Sequence, residues 1–168
     1  FEEVLKIRLS VYGENHSRVA SVYNDIGEIY SVQGDDFKAL DYFKKSLKIV
    51  LSVYGENHSQ VSSIYDHIGE VYFAQKDYSK ALYYFEESLK IRLSLFGENH
   101  PEVALSYYSI GSLYIIQGDK SKALNYYEKS LKIRLSVYGE NHPLTKEIMD
   151  LINVAANSKV LQSPETTK

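Results

Sequence analysis

The chain is 168 residues long, with 44% hydrophobic and 24% charged residues, a balance that excludes collagen, mucin-like stalks and wholesale disorder. It has no cysteine, which excludes a disulfide framework, cysteine-ligated zinc and a cysteine nucleophile. The net charge of -3 gives no overall electrostatic reason to bind nucleic acid or anionic lipid, and no apolar run approaches the roughly 18–20 residues that span a bilayer.

An internal repeat organises the whole sequence. The tetrapeptide Gly-Glu-Asn-His begins at Gly13, Gly55, Gly97 and Gly139, a constant spacing of 42 residues. Between residues 13–54 and 55–96, 25 of the 42 positions are identical, so whole units recur. Each unit is therefore predicted to adopt one shared conformation.

Two helices are predicted within a unit. Helix A of the first unit has an apolar stripe that steps by three and four residues, through Val19, Val22, Tyr23, Ile26 and Tyr30. The segment Gln33-Gly34-Asp35 interrupts it, because glycine in the left-handed conformation commonly ends a helix. Helix B follows, with the stripe Ala39, Leu40, Phe43, Leu47 and Leu51. In the second unit Lys76 replaces the glycine, which predicts some backbone strain.

Such a helix pair cannot bury both apolar faces alone, so neighbouring units are expected to stack. The predicted fold is an all-α solenoid of antiparallel helix pairs over residues 1–157. Its parts are a partial helix B at 1–12, full repeats at 13–54, 55–96 and 97–138, and a capping helix at 143–157. Residues 158–168 lack periodicity and are predicted to be a disordered tail. Because the chain begins inside a unit, we expect it to be a piece of a longer array.

The repeated residues resemble the tetratricopeptide repeat, whose signature is an aromatic, an aliphatic residue, Gly and Tyr on the first helix, then Ala and an aromatic on the second. The first unit supplies them as Tyr23, Ile26, Gly27, Tyr30, Ala39 and Phe43. The 42-residue period and the Gly-Glu-Asn-His connector are similar to the kinesin-light-chain and nephrocystin type. This resemblance implies a right-handed superhelix and a non-enzymatic scaffold, whose concave groove, lined by helix A, binds a protein or peptide partner.

Glycine recurs in the middle of helix A, at Gly27, Gly69 and Gly111. Glycine costs roughly 0.5–1 kcal/mol against alanine in a helix, so its recurrence at one register predicts a close crossing with a facing helix. The plausible partners are the alanines of helix B, Ala39, Ala81 and Ala123.

Helix A positions that change between units are predicted to face the ligand. The candidate groove residues are Asn24, Asp25, Glu28, Asp66, His67, Glu70, Phe73, Leu105, Tyr108, Ser112, Ile115 and Ile116. Helices A carry a summed charge of −4 and helices B +7, which predicts an acidic groove and a basic outer face. The first half of the groove is acidic and the second apolar, so a peptide with Lys or Arg at one end and bulky apolar residues at the other would complement it.

The resemblance also sets a contrast with kinesin light chains, which hold peptide backbone with groove asparagines and acidic cargo with Arg or Lys. Asn24 matches such an asparagine, but Asp66 and Tyr108 replace it in later units, and basic groove residues are missing. Acidic cargo is therefore not expected.

Other functions have weaker support in the sequence. The connector histidines, His16, His58, His100 and His142, are predicted to cap helices, since units stacked about 8–10 Å apart cannot share one metal ion. A metal site remains an alternative, with the candidate ligands Asp25, Glu28, His67 and Glu70. No catalytic or cofactor motif occurs, so we expect neither enzymatic activity nor a cofactor. Nucleic-acid and membrane binding are not expected either. The expected location is the cytoplasm. Self-association through the apolar groove or the solenoid ends is the alternative function.

Overall fold

A computed structural model describes residues 2–157, with side chains from residue 3 onward, and these residues form helices and short connections. The helices are α1 (Glu2–Tyr12), α2 (Ser17–Val32), α3 (Asp36–Tyr54), α4 (Ser59–Ala74), α5 (Tyr78–Phe96), α6 (Pro101–Ile116), α7 (Lys120–Tyr138) and α8 (Pro143–Asn157). The all-α solenoid is confirmed: α2, α4 and α6 are helices A, and α3, α5 and α7 are helices B. The tail predicted at 158–168 lies outside the described residues.

Each connector histidine caps the helix that follows it, as predicted. His58 Nδ1 accepts a hydrogen bond from the backbone N–H of Gln60 at 3.2 Å, and His16, His100 and His142 make the equivalent bond. The imidazole also stacks on the aromatic ring four residues earlier, with centroids 4.2 Å apart for Tyr54 and His58. The side chain thus satisfies a helix N–H that has no partner within the helix, and fixes the entry into helix A.

A second cap separates helix A from helix B. Asp35, Asp77 and Asp119 each accept a hydrogen bond from the backbone N–H three residues later. Gly34 and Gly118 just before them have φ angles of 76° and 80°, whereas Lys76 has a φ of 62° and is the sole non-glycine residue with positive φ among residues 2–157. The strain predicted for Lys76 is therefore present.

Replacing Lys76 with glycine is expected to stabilise the protein by roughly 0.5–1 kcal/mol. A left-handed conformation costs a side-chain-bearing residue roughly 1–2 kcal/mol, and the greater freedom of glycine in the unfolded chain offsets part of this gain. Urea unfolding monitored by circular dichroism measures the change. Gly34→Lys in the preceding unit is the matched control and should destabilise by a similar amount, because it places the same side chain at an equivalent turn.

The predicted close crossing between helices A and B is present, and an aromatic ring of helix B lies nearest to each of the three glycines. A Cβ added to Gly27 would lie 2.6 Å from Cε1 of Phe43, and a Cβ added to Gly69 would lie 2.7 Å from Cε1 of Phe85. At Gly111 the backbone oxygen of Ala123, at 3.3 Å, is among the three nearest atoms as well. The glycine therefore makes room for the helix B aromatic ring, whose atoms occupy the space that a Cβ would need.

Stacking of units builds a continuous core. Buried side chains of α2 and α3 form one cluster with those of α4, including Val19, Phe43, Val61 and Ile68. The same registers recur in α5 to α7, where Phe85, Ile110 and Leu113 cluster together. Each helix A is thus held between the helix B of its own unit and that of the preceding one, and this fixes the direction in which its variable residues point.

Candidate functional site

The acidic half of the candidate groove contains a side-chain bridge between two successive helices A. His67 Nδ1 on α4 lies 3.1 Å from Asn24 Oδ1 on α2, and His67 Nε2 lies 3.7 Å from Glu28 Oε1. Asn24 Nδ2 in turn donates a hydrogen bond to Glu28 Oε1 at 2.5 Å. The imidazole packs on the ring of Phe43, with centroids 5.2 Å apart. These three variable residues therefore meet, and they hold α2 and α4 side by side.

Three carboxylates remain open to solvent in this half: Asp25, Glu28 and Glu70 are all exposed. Desolvation raises the pKa of the Glu70 carboxyl, and the nearby Asp66 and Glu28 carboxylates raise it further, against an opposing effect of His67. When its surroundings disfavour the ionised form of a carboxylate, a nearby cation stabilises that form. This half of the candidate groove therefore presents exposed negative charge.

Asp66 does not act as the exposed groove acid that the sequence suggested. Its Oδ2 lies 2.7 Å from Nη2 of Arg92, a guanidinium that is 4% exposed and comes from helix B of the same unit. Arg92 also contacts Glu102 Oε2 at 3.0 Å and donates to Ser106 Oγ at 2.8 Å. Burial raises the pKa of the Asp66 carboxyl, while Arg92 opposes this. Asp66 is thus one partner of an ion-pair network that joins α4, α5 and α6.

Arg134, which was counted with the predicted basic outer face, is also buried. It is 5% exposed at its side chain, donates to the carbonyl of Leu144 at 2.6 Å, and lies over the ring of Tyr108 at 5.0 Å. Tyr108 in turn donates from its hydroxyl to Glu147 Oε1 at 3.2 Å. Two of the basic residues assigned to the outer face are therefore buried. The sequence contained a sign of this burial, because the position of Arg92 and Arg134 is occupied in the first unit by the apolar residue Val50.

The apolar half of the groove is formed mainly by α6. Leu105 is 44% exposed and Ile116 is 50% exposed, and the two lie three helical turns apart on nearly the same face. Phe73 and Ile115 are only partly exposed, because both pack on the core between the second and third units. Ser112 hydrogen-bonds Tyr127 across the helix pair at 3.1 Å, so its hydroxyl is already engaged.

The metal alternative has no support in the described part of the chain. There, no three or more His, Cys, Asp or Glu side chains converge where they could hold a metal ion. His67 instead contacts Asn24 and Glu28, as described above. Nor does any helix within residues 2–157 combine the length and apolar character needed to cross a bilayer.

Comparison with known proteins identifies the family. The profile of the Tetratricopeptide repeat family matches residues 1–50, 18–94 and 60–136, which together cover most of the chain. The chain belongs to the tetratricopeptide repeat family. The resemblance inferred from Tyr23, Gly27 and their recurring equivalents is therefore confirmed. No curated protein shows a significant sequence match to this tetratricopeptide repeat chain.

Solved structures share the fold at low sequence identity. BtubC (BKLC) from P. vanneervenii superposes with a TM-score of 0.75 at 23% identity, over 82% of this chain and 55% of that one. A kinesin-light-chain-type protein of Podosopora anserina with nearly identical TPR-like repeats gives 0.75 at 16% identity, over 92% and 73%. The apo form of RapI gives 0.75 at 19% identity, over 89% and 52%. The chain thus spans about half the length of BtubC and RapI.

Tetratricopeptide repeats generally mediate protein–protein interaction. The finer assignment, to a groove and to a class of peptide, rests on the side chains described above.

Proposed function

We propose that this tetratricopeptide repeat chain is an interaction module that binds an extended or helical segment of a partner protein along its helices A. The partner segment carries Lys or Arg residues toward α2 and α4, and bulky apolar residues toward α6. The observation that carries this proposal is the division of charge and polarity along the variable helix A positions. Exposed carboxylates lie at one end, and the exposed aliphatics Leu105 and Ile116 at the other.

The acidic end is suited to bind cations because its carboxylates are not all neutralised from within. Asp66 is paired with Arg92, so it adds little net charge, but Asp25, Glu28 and Glu70 remain exposed. Burial raises the pKa of the Glu70 carboxyl, and charge repulsion from the Asp66 and Glu28 carboxylates raises it further, although His67 opposes this. A ligand Lys or Arg placed here relieves that repulsion, and gains charge-assisted hydrogen bonds as well.

Arg92 and Arg134 do not turn the groove into a site for acidic peptides. Arg92 is nearly fully buried, and its guanidinium is shared between two carboxylates and a serine. Arg134 is equally buried beneath Tyr108. Because both guanidinium groups are already paired within the protein, they do not present positive charge to a ligand. The exposed carboxylates of the acidic half therefore dominate its surface charge. This favours a basic ligand over an acidic one.

Charge reversal at the acidic end is expected to weaken binding of basic–apolar peptides by about tenfold or more, a change of about 1.4 kcal/mol. An array of peptides with a Lys/Arg half and a Leu/Phe/Ile half is probed with the wild-type chain and with Glu28→Lys/Glu70→Lys, and affinities are then measured by fluorescence anisotropy. Salt should weaken wild-type binding, because the interaction lies near the surface.

The matched control is Glu86→Lys/Glu128→Lys, which makes the same change in net charge at exposed positions on helices B. This variant should retain most of the wild-type affinity. Equal loss in both double variants would show that net charge alone governs binding, and undiminished binding in Glu28→Lys/Glu70→Lys would remove the groove assignment.

Self-association is a second candidate function that one observation favours. Apolar side chains are exposed on the first and last described helices, with Ile7 at 56% and Val11 at 63% on α1 and Val154 at 66% on α8. Such residues could meet another copy of the chain. Light scattering over a concentration series distinguishes the two: growth in mass with concentration supports self-association, and a constant monomer mass argues against it.

A further inference from the structure

One position of helix B distinguishes the first junction between units from the others. The register holds Arg8, Val50, Arg92 and Arg134 in successive helices B. Arg8 donates to the carbonyl of Arg18 and to Ser21 Oγ, at 2.8 and 3.0 Å, while Arg92 and Arg134 bind groups of the following helix A. In three junctions a guanidinium therefore reaches from helix B into the next unit. At the remaining junction, between α3 and α4, Val50 is too short to do so. This junction joins the first two full units and is the first junction; the α5–α6 junction, with Arg92, is the second.

A cavity occupies the place of the missing side chain. It has a volume of about 110 Å³ and opens beside α2 and α4, which is room for several water molecules. In the second junction Arg92 is surrounded by Asp66, Glu102 and Ser106. The residues at those registers in the first junction all line the cavity, as Val50 does; they are Asn24, Gln60 and Ile64. The empty space is thus the first-junction counterpart of the volume that the Arg92 guanidinium fills.

The polar lining of this cavity presents acceptors. Ser46 Oγ donates its proton to the carbonyl of Ala20 at 2.8 Å, and Ser63 Oγ donates to the carbonyl of Ser59 at 3.1 Å. Both hydroxyls line the cavity with their donors already used, so what they offer a ligand is lone pairs. Asp25 also lines the cavity, and its side-chain oxygens are further acceptors. These three side chains, Ser46, Ser63 and Asp25, favour a ligand group that donates hydrogen bonds and carries a positive charge.

We infer that the cavity between α2, α3 and α4 is a subsite for an arginine side chain supplied by the bound partner segment. The guanidinium offers five N–H donors in a plane and no acceptor, and it occupies the equivalent volume elsewhere in this same chain. Asp25, which lines the cavity, provides the countercharge, since Asn24 and Gln60 are neutral where the second junction has Asp66 and Glu102. The inference rests on the proposed peptide-binding function and specifies one residue of the peptide.

The test uses N-acetyl-arginine amide as the probe, titrated into the ¹⁵N-labelled full chain and followed by two-dimensional NMR. Saturable shifts of the backbone amides of Ser21, Asn24 and Ser63 are expected. N-acetyl-citrulline amide, which has nearly the same shape without the charge, should bind at least fivefold more weakly. Absence of saturable shifts with the arginine derivative, or equal binding of the citrulline derivative, overturns the inference.

Val50→Arg closes the subsite from within, because the new side chain can occupy the cavity as Arg92 does in the next junction. It should abolish binding of the arginine probe. Ser79→Arg is the matched control, with the same added charge at an exposed position of α5, and it should bind as wild type does. Should Val50→Arg not fold, Ser63→Val removes one acceptor at an exposed position, and at least a threefold weakening is expected. Unchanged binding in a folded Val50→Arg, or in Ser63→Val, overturns the inference.

The outcomes separate this inference from the proposed function. If the peptides of the array bind the groove while the arginine probe finds no site, the subsite is wrong and peptide binding stands. If the arginine probe binds at Ser63 and is lost in Val50→Arg while no peptide binds, the subsite stands and the proposed function is wrong.

Discussion

Replacing Gly69 with leucine is expected to destabilise the protein by about 3 kcal/mol, the upper end of the usual cost of overpacking. Even a Cβ at this position would lie 2.7 Å from Cε1 of Phe85, and the ring is held in the core at 5% exposure. The added side chain must therefore move α4 away from α5. Urea unfolding monitored by circular dichroism measures the loss, and Ser79→Leu at an exposed position of α5 should change stability by no more than about 0.5 kcal/mol.

Phe85→Ala shows whether the ring is the obstacle. In that background the leucine can enter the space vacated by the ring, so Gly69→Leu should cost much less than it does beside Phe85, with a coupling of about 1–3 kcal/mol. The same cost in both backgrounds would mean that another neighbour of Gly69 limits the crossing.

Arg92→Met is the other substitution with a large expected effect, a loss of about 3 kcal/mol, because breaking a buried ion pair leaves a partner charge uncompensated. The uncompensated group is mainly Asp66, whose side chain is 18% exposed, since the Glu102 side chain is 46% exposed and can be solvated. Asp66→Asn in the same background should recover about 1–2 kcal/mol by removing that charge. Chemical unfolding of the two single variants and the double variant gives the cycle.

The pH dependence of Arg92→Met provides an independent check. Burial raises the pKa of the Asp66 carboxyl, and Arg92 opposes this, so removing Arg92 places the folded-state pKa further above the unfolded one. Between those two values the folded chain binds more protons than the unfolded chain, and stability falls as the pH rises. The loss relative to wild type should therefore be smaller at about pH 4 than at about pH 7. With Asp66→Asn also present, this difference should disappear, and its persistence would contradict the assignment to Asp66.

The elements that the sequence predicted well depend on local, repeated chemistry. The caps at His58 and Asp77 and the strained turn at Lys76 each follow from a few neighbouring residues, and the 42-residue repeat displays them several times. The crossing at Gly69 was predicted for the same reason. The part that the Phe85 ring plays there was not predicted, because the direction in which the ring points depends on packing across the helix pair rather than on sequence spacing.

The candidate site was less accessible to sequence reasoning, because its partners come from other helices. Asp66 looked like an exposed groove acid, and nothing near it along the chain indicates that Arg92 reaches it from helix B. The clue lay in the comparison of units, since an arginine at a register where Val50 is apolar must find buried partners. Summing the charge of each whole helix does not reveal that Arg92 is buried, because the sum treats every residue of helix B as if it were on the outer face.

Mapping a bound peptide onto the chain tests the central claim most directly. A basic–apolar peptide selected from the array is titrated into the ¹⁵N-labelled chain, and backbone amide shifts are followed by NMR. The account predicts that perturbations concentrate on helices A, at Asp25, Glu70 and Ile116, and leave the exposed helix B positions Ser79 and Asn125 unchanged. Perturbations confined to helices B, or to α1 and α8, would contradict it.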